Sequence, residues 1–255
     1  MRTAVCLFVF AGAALVCAQS VDHRDVNRTV PFAADGLLNI ENHKGAIHIT
    51  TWDRAEVEIH ARIQPAPGEP MNMRRFEATE VIIEGGGDAL QVRTKYPDWS
   101  SCCSSDEGNN PEVRYTIRMP RSGRLTIRDH RSEIQVADLA GALDIDTHRG
   151  TVNVARLSGP LQLTTHRGDA TIEFSHFAAT AVDTHSGTIQ LLLPRSSGFE
   201  LDGDTDRHAS LTTDFTMITR AQGRRYGSSM HGSVNGGGPT LRITSHRGDI
   251  KVRGV

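Results

Sequence analysis

The chain has 255 residues and a formal net charge of −2, with 28 basic against 30 acidic side chains. That balance argues against a nucleic-acid binder, which needs a basic face. Aromatic residues make up 5% and glycines number 24, which suits many short strands and tight turns and disfavours a helical bundle.

Residues 1–18 have the form of a secretory signal. Arg2 precedes an apolar run from Ala4 to Val16, and Val16-Cys17-Ala18 before Gln19 reads as a small-residue cleavage site. A single mature domain, 19–255, is expected, exported by a Sec-type route to the periplasm, the cell surface or the medium. Val16 stands where a lipidation signal normally carries a small residue, so release is expected over lipid anchoring. No later apolar stretch approaches the roughly 18 residues of a membrane-crossing helix, so no transmembrane span is expected. Loss of the leader removes Cys6 and Cys17 and leaves the neighbours Cys102 and Cys103. In an oxidising compartment these are candidates for a disulfide, with each other or with another chain, beside the alternative that both stay reduced.

In chain order, residues 38–49 carry a first strand–bend–strand frame around His43-Lys44-Gly45, followed by a strand over 56–63. Pro65, Pro67, Gly68 and Pro70 mark 64–79 as an irregular loop. Strands are predicted at 80–84, 89–94 and 113–118, with Gly85-Gly86-Gly87-Asp88 as a turn and 95–112 as a polar loop holding the cysteines. The frame then repeats at 125–136, 143–154, 161–172 and 180–191. A slipped copy follows near 199–211, where the histidine is displaced to His208. After a third irregular segment, 219–238, a last copy fills 241–252.

Each copy places apolar residues five and three positions before a histidine and four and six after it. Leu143, Ile145, Val152 and Val154 flank His148 in this way. Alternation with period two on both sides of a bend makes two short strands, each burying one face. Gly150, Gly168, Gly187 and Gly248 sit at the bend, where a residue tolerant of positive φ is expected. One such unit buries too little to fold alone, so neighbours must stack. The arrangement that satisfies this is an all-β solenoid of parallel strands, one coil per 18–19-residue repeat. An antiparallel sandwich is the runner-up, and it does not require like residues to recur at that step.

The sharpest chemical feature is the histidine step: 130, 148, 166 and 185. Stacking aligns His130, His148, His166 and His185 in an outward column at the edge of the bend, beside Arg131, Arg149 and Arg167. Asp146 and Asp183 lie two positions before their histidines. Two readings follow beside the plain one of a hydrated, duplicated turn. His148, His166 and Asp146 form a candidate surface metal site. The column His130, Arg131, His148, Arg149, His166, Arg167 and His185 forms a candidate clamp for an anionic glycan or phosphate.

Three segments carry a resemblance. The entry is Leu37-Leu-Asn-Ile-Glu-Asn-His-Lys-Gly-Ala-Ile-His-Ile-Thr-Thr-Trp-Asp53, and the middle is Val113-Arg-Tyr-Thr-Ile-Arg-Met-Pro120 with the repeats. The exit is Asn235-Gly-Gly-Gly-Pro-Thr-Leu-Arg-Ile-Thr-Ser-His-Arg-Gly-Asp-Ile250. Together they resemble the bacterial putative adhesin family with β-strand repeats, which is related to auto-transporter adhesin head domains. The resemblance implies a right-handed parallel β-helix-like solenoid, exported, with no catalytic residues and no cofactor. An adhesin-like protein that binds a glycan or a cell-envelope protein is therefore expected. The alternative is a carbohydrate-active or metal-dependent enzyme on the same scaffold, for which Asp144 and Asp146 share one outward face. No Gly-rich phosphate loop, serine elbow or His-Glu-x-x-His motif is present.

Overall fold

Alternating side chains set the direction of burial in every copy. In β6 (Leu143–Arg149) Leu143 and Ile145 are buried while Asp146 faces solvent, and in β7 (Thr151–Leu157) Val152 and Val154 are buried while Asn153 is exposed. The computed structural model describes residues 23–66, 70–97, 110–219 and 228–255. The predicted leader, 1–18, and Cys102 and Cys103 lie outside the described residues.

The elements before β6 are β1 (Arg24–Trp52), β2 (Glu56–Gln64), helix α1 (Pro70–Ala78), β3 (Glu80–Lys95), β4 (Glu112–Pro120) and β5 (Arg124–Ala137). After β7 come β8 (Leu161–Arg167), β9 (Ala170–Phe174), β10 (Thr180–Ser186), β11 (Thr188–Leu193), β12 (Phe199–Thr205) and β13 (Ser210–Thr213). The chain closes with β14 (Met217–Thr219), β15 (Ser228–Val234), β16 (Thr240–Ser245) and β17 (Asp249–Gly254). All the strands belong to one largely parallel sheet.

Two ladders run through it. On the first, Leu125 pairs with Leu143, Leu143 with Leu161, Leu161 with Thr180 and Thr180 with Leu241. On the second, Ile134 pairs with Val152, Val152 with Ala170, Ala170 with Ile189 and Ile189 with Ile250. Like residues thus lie over like residues, and their inward side chains merge into one core.

Spatial order departs from chain order at both ends. The first frame, in β1, lies between β5 on one side and β3 and β4 on the other. The last frame, β16 and β17, lies between β10–β11 and β12–β13. The slipped copy at 199–211 is therefore the outer coil at that end, and β15 covers it antiparallel to β12.

Two predicted loops are corrected. Within 64–79, residues Pro70–Ala78 form α1, which buries Phe76 against the core. Pro70 is compatible with this because the first turn of a helix has no use for its missing N–H. Within 219–238, Ser228–Val234 forms β15 and buries Val234; its Ser- and Gly-rich sequence hides the pattern. The predicted turn at Gly85-Gly86-Gly87 is a corner inside β3, with φ of 98, 152 and 61°.

The bend glycines have a different cause from the expected one. Of Gly150, Gly168, Gly187 and Gly248, only Gly187 has positive φ, at 120°. The common reason is close approach. A Cβ on Gly168 would lie 2.2 Å from the Gly150 carbonyl oxygen, and one on Gly187 would lie 2.1 Å from that of Gly168. Backbone stacks on backbone here, and a methyl group does not fit between.

Candidate functional site

Each bend is built from four consecutive residues. The one before the histidine points inward: Thr147, Thr165, Thr184 and Ser245 are buried, and Asn42 occupies the same place in the first frame. The histidine follows at the edge, then a basic or serine residue, then the tightly packed glycine or Ser132. Because the strands are in register, each of these positions forms a column across the coils.

The histidine column is longer than the four residues predicted. His130–His148, His148–His166 and His166–His185 stack at 4.8, 4.6 and 4.7 Å between ring centroids, with interplanar angles of 7, 9 and 14°. His43 extends it at one end, 4.6 Å from His130, and His246 at the other, 5.6 Å from His185 and tilted by 41°. Tyr96 closes the first end, edge-on to His43 at 5.7 Å. The inner rings are half-buried by one another and present their edges outward. Burial, followed by the charges of neighbouring histidines and arginines, holds His148 and His185 below the usual imidazole range. These two rings are therefore neutral at pH 7.

Beneath one end lies a polar network. Asp129 accepts hydrogen bonds from the Ser132 backbone N–H at 2.7 Å, the Ser132 hydroxyl at 2.5 Å and the Thr147 hydroxyl at 3.3 Å. Asn42 donates to Ser132 Oγ at 3.1 Å and accepts from Thr94, whose hydroxyl meets that of Tyr115 at 2.7 Å. Burial pushes the Asp129 carboxyl up to about 6 in spite of these donors. Burial also raises the Tyr96 and Tyr115 phenols.

Several arginines on the sheet are paired: Arg128 forks onto Asp144 at 3.0 and 2.8 Å, Arg156 onto Asp138, and Arg62 onto Asp25. Among the described residues, Arg131, Arg149, Arg167 and Arg247 make no side-chain hydrogen bond or ion pair. Arg149 and Arg167 are in register, as are Lys44 and Arg131. A cleft of about 430 Å³ runs along the histidine column, lined by four of its rings with Arg128, Asp129, Asp146 and Asp183 and by none of these four arginines.

The family profile of Toastrack DUF4097 matches residues 112–253, more than half of the chain. The chain belongs to the Toastrack DUF4097 family. No curated protein matches it. Among solved structures, a putative cell adhesion protein from Clostridium sporogenes aligns with 91% of this chain and all of its own, at 12% identity and a TM-score of 0.56. This likeness shows a shared fold. A putative lipid binding protein from Parabacteroides distasonis and a putative adhesin from Bacteroides fragilis align at 11% and 13% identity. Both have a TM-score of 0.27, too low to support an argument.

In this Toastrack DUF4097 chain the matched segment contains His130 to His246 but not His43, so the column reaches beyond it. The arrangement of His148, His166 and Asp146 does not favour metal. Two nitrogens on one zinc lie at most about 4 Å apart, with lone pairs converging on the ion. Rings stacked 4.6 Å apart at 9° hold their in-plane lone pairs parallel instead. Among the described residues no group of three or more His, Cys, Asp or Glu is placed to hold a metal ion. Of the two carboxylates Asp144 and Asp146, Asp144 is held by Arg128 at 2.8 Å. Asp129, which the periodicity passed over, was marked in the sequence as a lone carboxylate in the inward Asn/Thr/Ser column.

Proposed function

We propose that this protein is a non-catalytic, exported, adhesin-like member of its family, built as a right-handed solenoid of 18–19-residue repeats. It binds a glycan or a cell-envelope partner along the His–Arg edge. One observation carries the reading: three arginines at successive bends, and a fourth beyond Ser186, lack internal partners beside a stack of five imidazoles that a tilted sixth extends. Unpaired cations held in a row are poor for stability and well placed for an external anion or hydroxyl-rich ligand. Of the two carboxylates that an enzyme would use, Asp144 is engaged by Arg128. Residues 1–18 supply the export signal.

Protease shaving of intact producing cells, with a periplasmic marker as control, tests the placement. The adhesin-like reading expects loss of the protein while the marker survives; protection until the outer envelope is opened overturns surface adhesion. Retention of the purified protein on whole cells tests the edge. Arg149→Ala with Arg167→Ala is expected to lower retention about tenfold, the size of two lost charge-assisted contacts. Retention equal to that of the unaltered protein removes the edge from consideration.

A further inference from the structure

The His–Arg edge is narrow. One basic column runs along it, with Asp146 and Asp183 on the strand side and Glu133, Asp169 and Asp249 on the other, all exposed. A wide polyanion such as a duplex would lay its second strand over those carboxylates. Single-stranded nucleic acid needs aromatic faces for its bases. Here the inner imidazole faces are covered by one another, leaving only ring edges outward. Those edges each offer a donor and an acceptor, which matches sugar hydroxyls. The arginines beside them match carboxylate or sulfate groups.

We infer that this edge holds a single linear acidic polysaccharide laid along the coil axis, and holds it more tightly in mild acid. The inference rests on the binding edge proposed above and names its ligand. Rings repeat every 4.6–4.8 Å along the inner column, so several cations fall within one screening length of about 10 Å and act together.

The sign of the pH effect follows from every charged group around the column. β1 contributes Lys44, which pairs with Glu112 at 3.4 Å, and β5 contributes Arg128, Asp129 and Arg131. Asp146 and Arg149 come from β6, Arg167 from β8, Asp183 from β10, and Arg247 follows β16. His246 already faces Asp206 at 2.9 Å. In acid, imidazoles gain charge, while Asp129 loses its own near pH 6. Both changes make the edge more positive.

The test uses immobilised polygalacturonate and dextran sulfate, with neutral dextran and single-stranded oligo(dT) as comparators, at about pH 7.5 and about pH 5.5. Both acidic polymers are expected to bind, roughly tenfold more tightly at the lower pH, and neutral dextran is expected not to bind. Arg149→Ala with Arg167→Ala weakens binding at both pH values. His148→Asn with His166→Asn weakens binding at the higher pH and removes most of the gain at the lower, with circular dichroism confirming the fold of each variant. Failure of both acidic polymers to bind, equal affinity at the two pH values, or equal binding of oligo(dT) overturns the inference. Should the arginine variant lose cell retention while neither polymer binds, the ligand class is wrong and the edge stands. Should retention also be indifferent to that variant, the edge itself falls.

Discussion

The middle coils and the two ends of this solenoid are made from the same frame but assembled differently. From β5 to β11 each coil lies on the one before it in the chain, so Leu125, Leu143 and Leu161 stack in order. At the ends, β1 and the β16–β17 pair are inserted between coils that come before or after them. The middle is therefore held by contacts between sequence neighbours. The ends are held by contacts across long chain separations, whose closure costs more loop entropy. The comparison shows that a parallel ladder matches equivalent residues without regard to their order in the chain.

The largest expected effect breaks this difference directly. Deleting residues 240–255 removes a coil from inside the stack, together with Leu241, Ile243, Ile250 and Val252, all fully buried. At about 2 kcal/mol for each buried aliphatic side chain, the loss rivals the 5–15 kcal/mol that holds typical domains. Urea denaturation is expected to lose its cooperative transition. A transition that stays sharp, with its midpoint little changed, would mean that the inserted coil is an accessory.

A smaller effect separates the middle from the end loops. Gly168→Ala places a Cβ 2.2 Å from the Gly150 carbonyl, so the coils must part; a cost of about 2–3 kcal/mol is expected. Gly236→Ala meets nothing within 4 Å, and only its φ of 86° opposes the change, at about 1 kcal/mol. Urea midpoints of the two variants check the ranking. Equal midpoints would show that bend conformation, not backbone contact, demands glycine in the middle.

The smallest effect concerns the polar network where the first frame meets the middle. Asp129 has its pKa raised to about 6 in the folded protein, so the folded state keeps this proton longer than the unfolded chain. Its contribution is therefore most favourable in acid. That contribution is lost as pH rises from the unfolded value near 4 to about 6, with no further change above. Asp129→Asn is expected to remove this component, on the order of 2 kcal/mol, from the stability profile measured by denaturation between about pH 4 and pH 7. A profile identical to that of the unaltered protein would place the Asp129 carboxyl in contact with solvent.

The parts of the fold legible in the sequence are those written by local alternation. Period-two burial marked the strands of every frame, and the repeated bend put His130, His148, His166 and His185 in one column. The missed segments had weak patterns: Pro70–Ala78 sits behind a proline-rich approach, and Ser228–Val234 has few apolar side chains. The candidate site was legible only in its middle. His43 and His246 both carried the frame, but chain order pointed past His185 to the displaced His208.

The sequence by itself determined which residues face inward, where the chain bends and which side chains gather at the bend, because sterics and burial act over a few residues. Only the tertiary structure decided which coil lies on which. Copies of one frame offer nearly equivalent ladders to one another, and the choice among them depends on how the whole chain buries its ends. That choice completes the stack from His43 to His246 and presses Gly168 onto Gly150. It also shuts Asp129 beneath the column with a raised pKa.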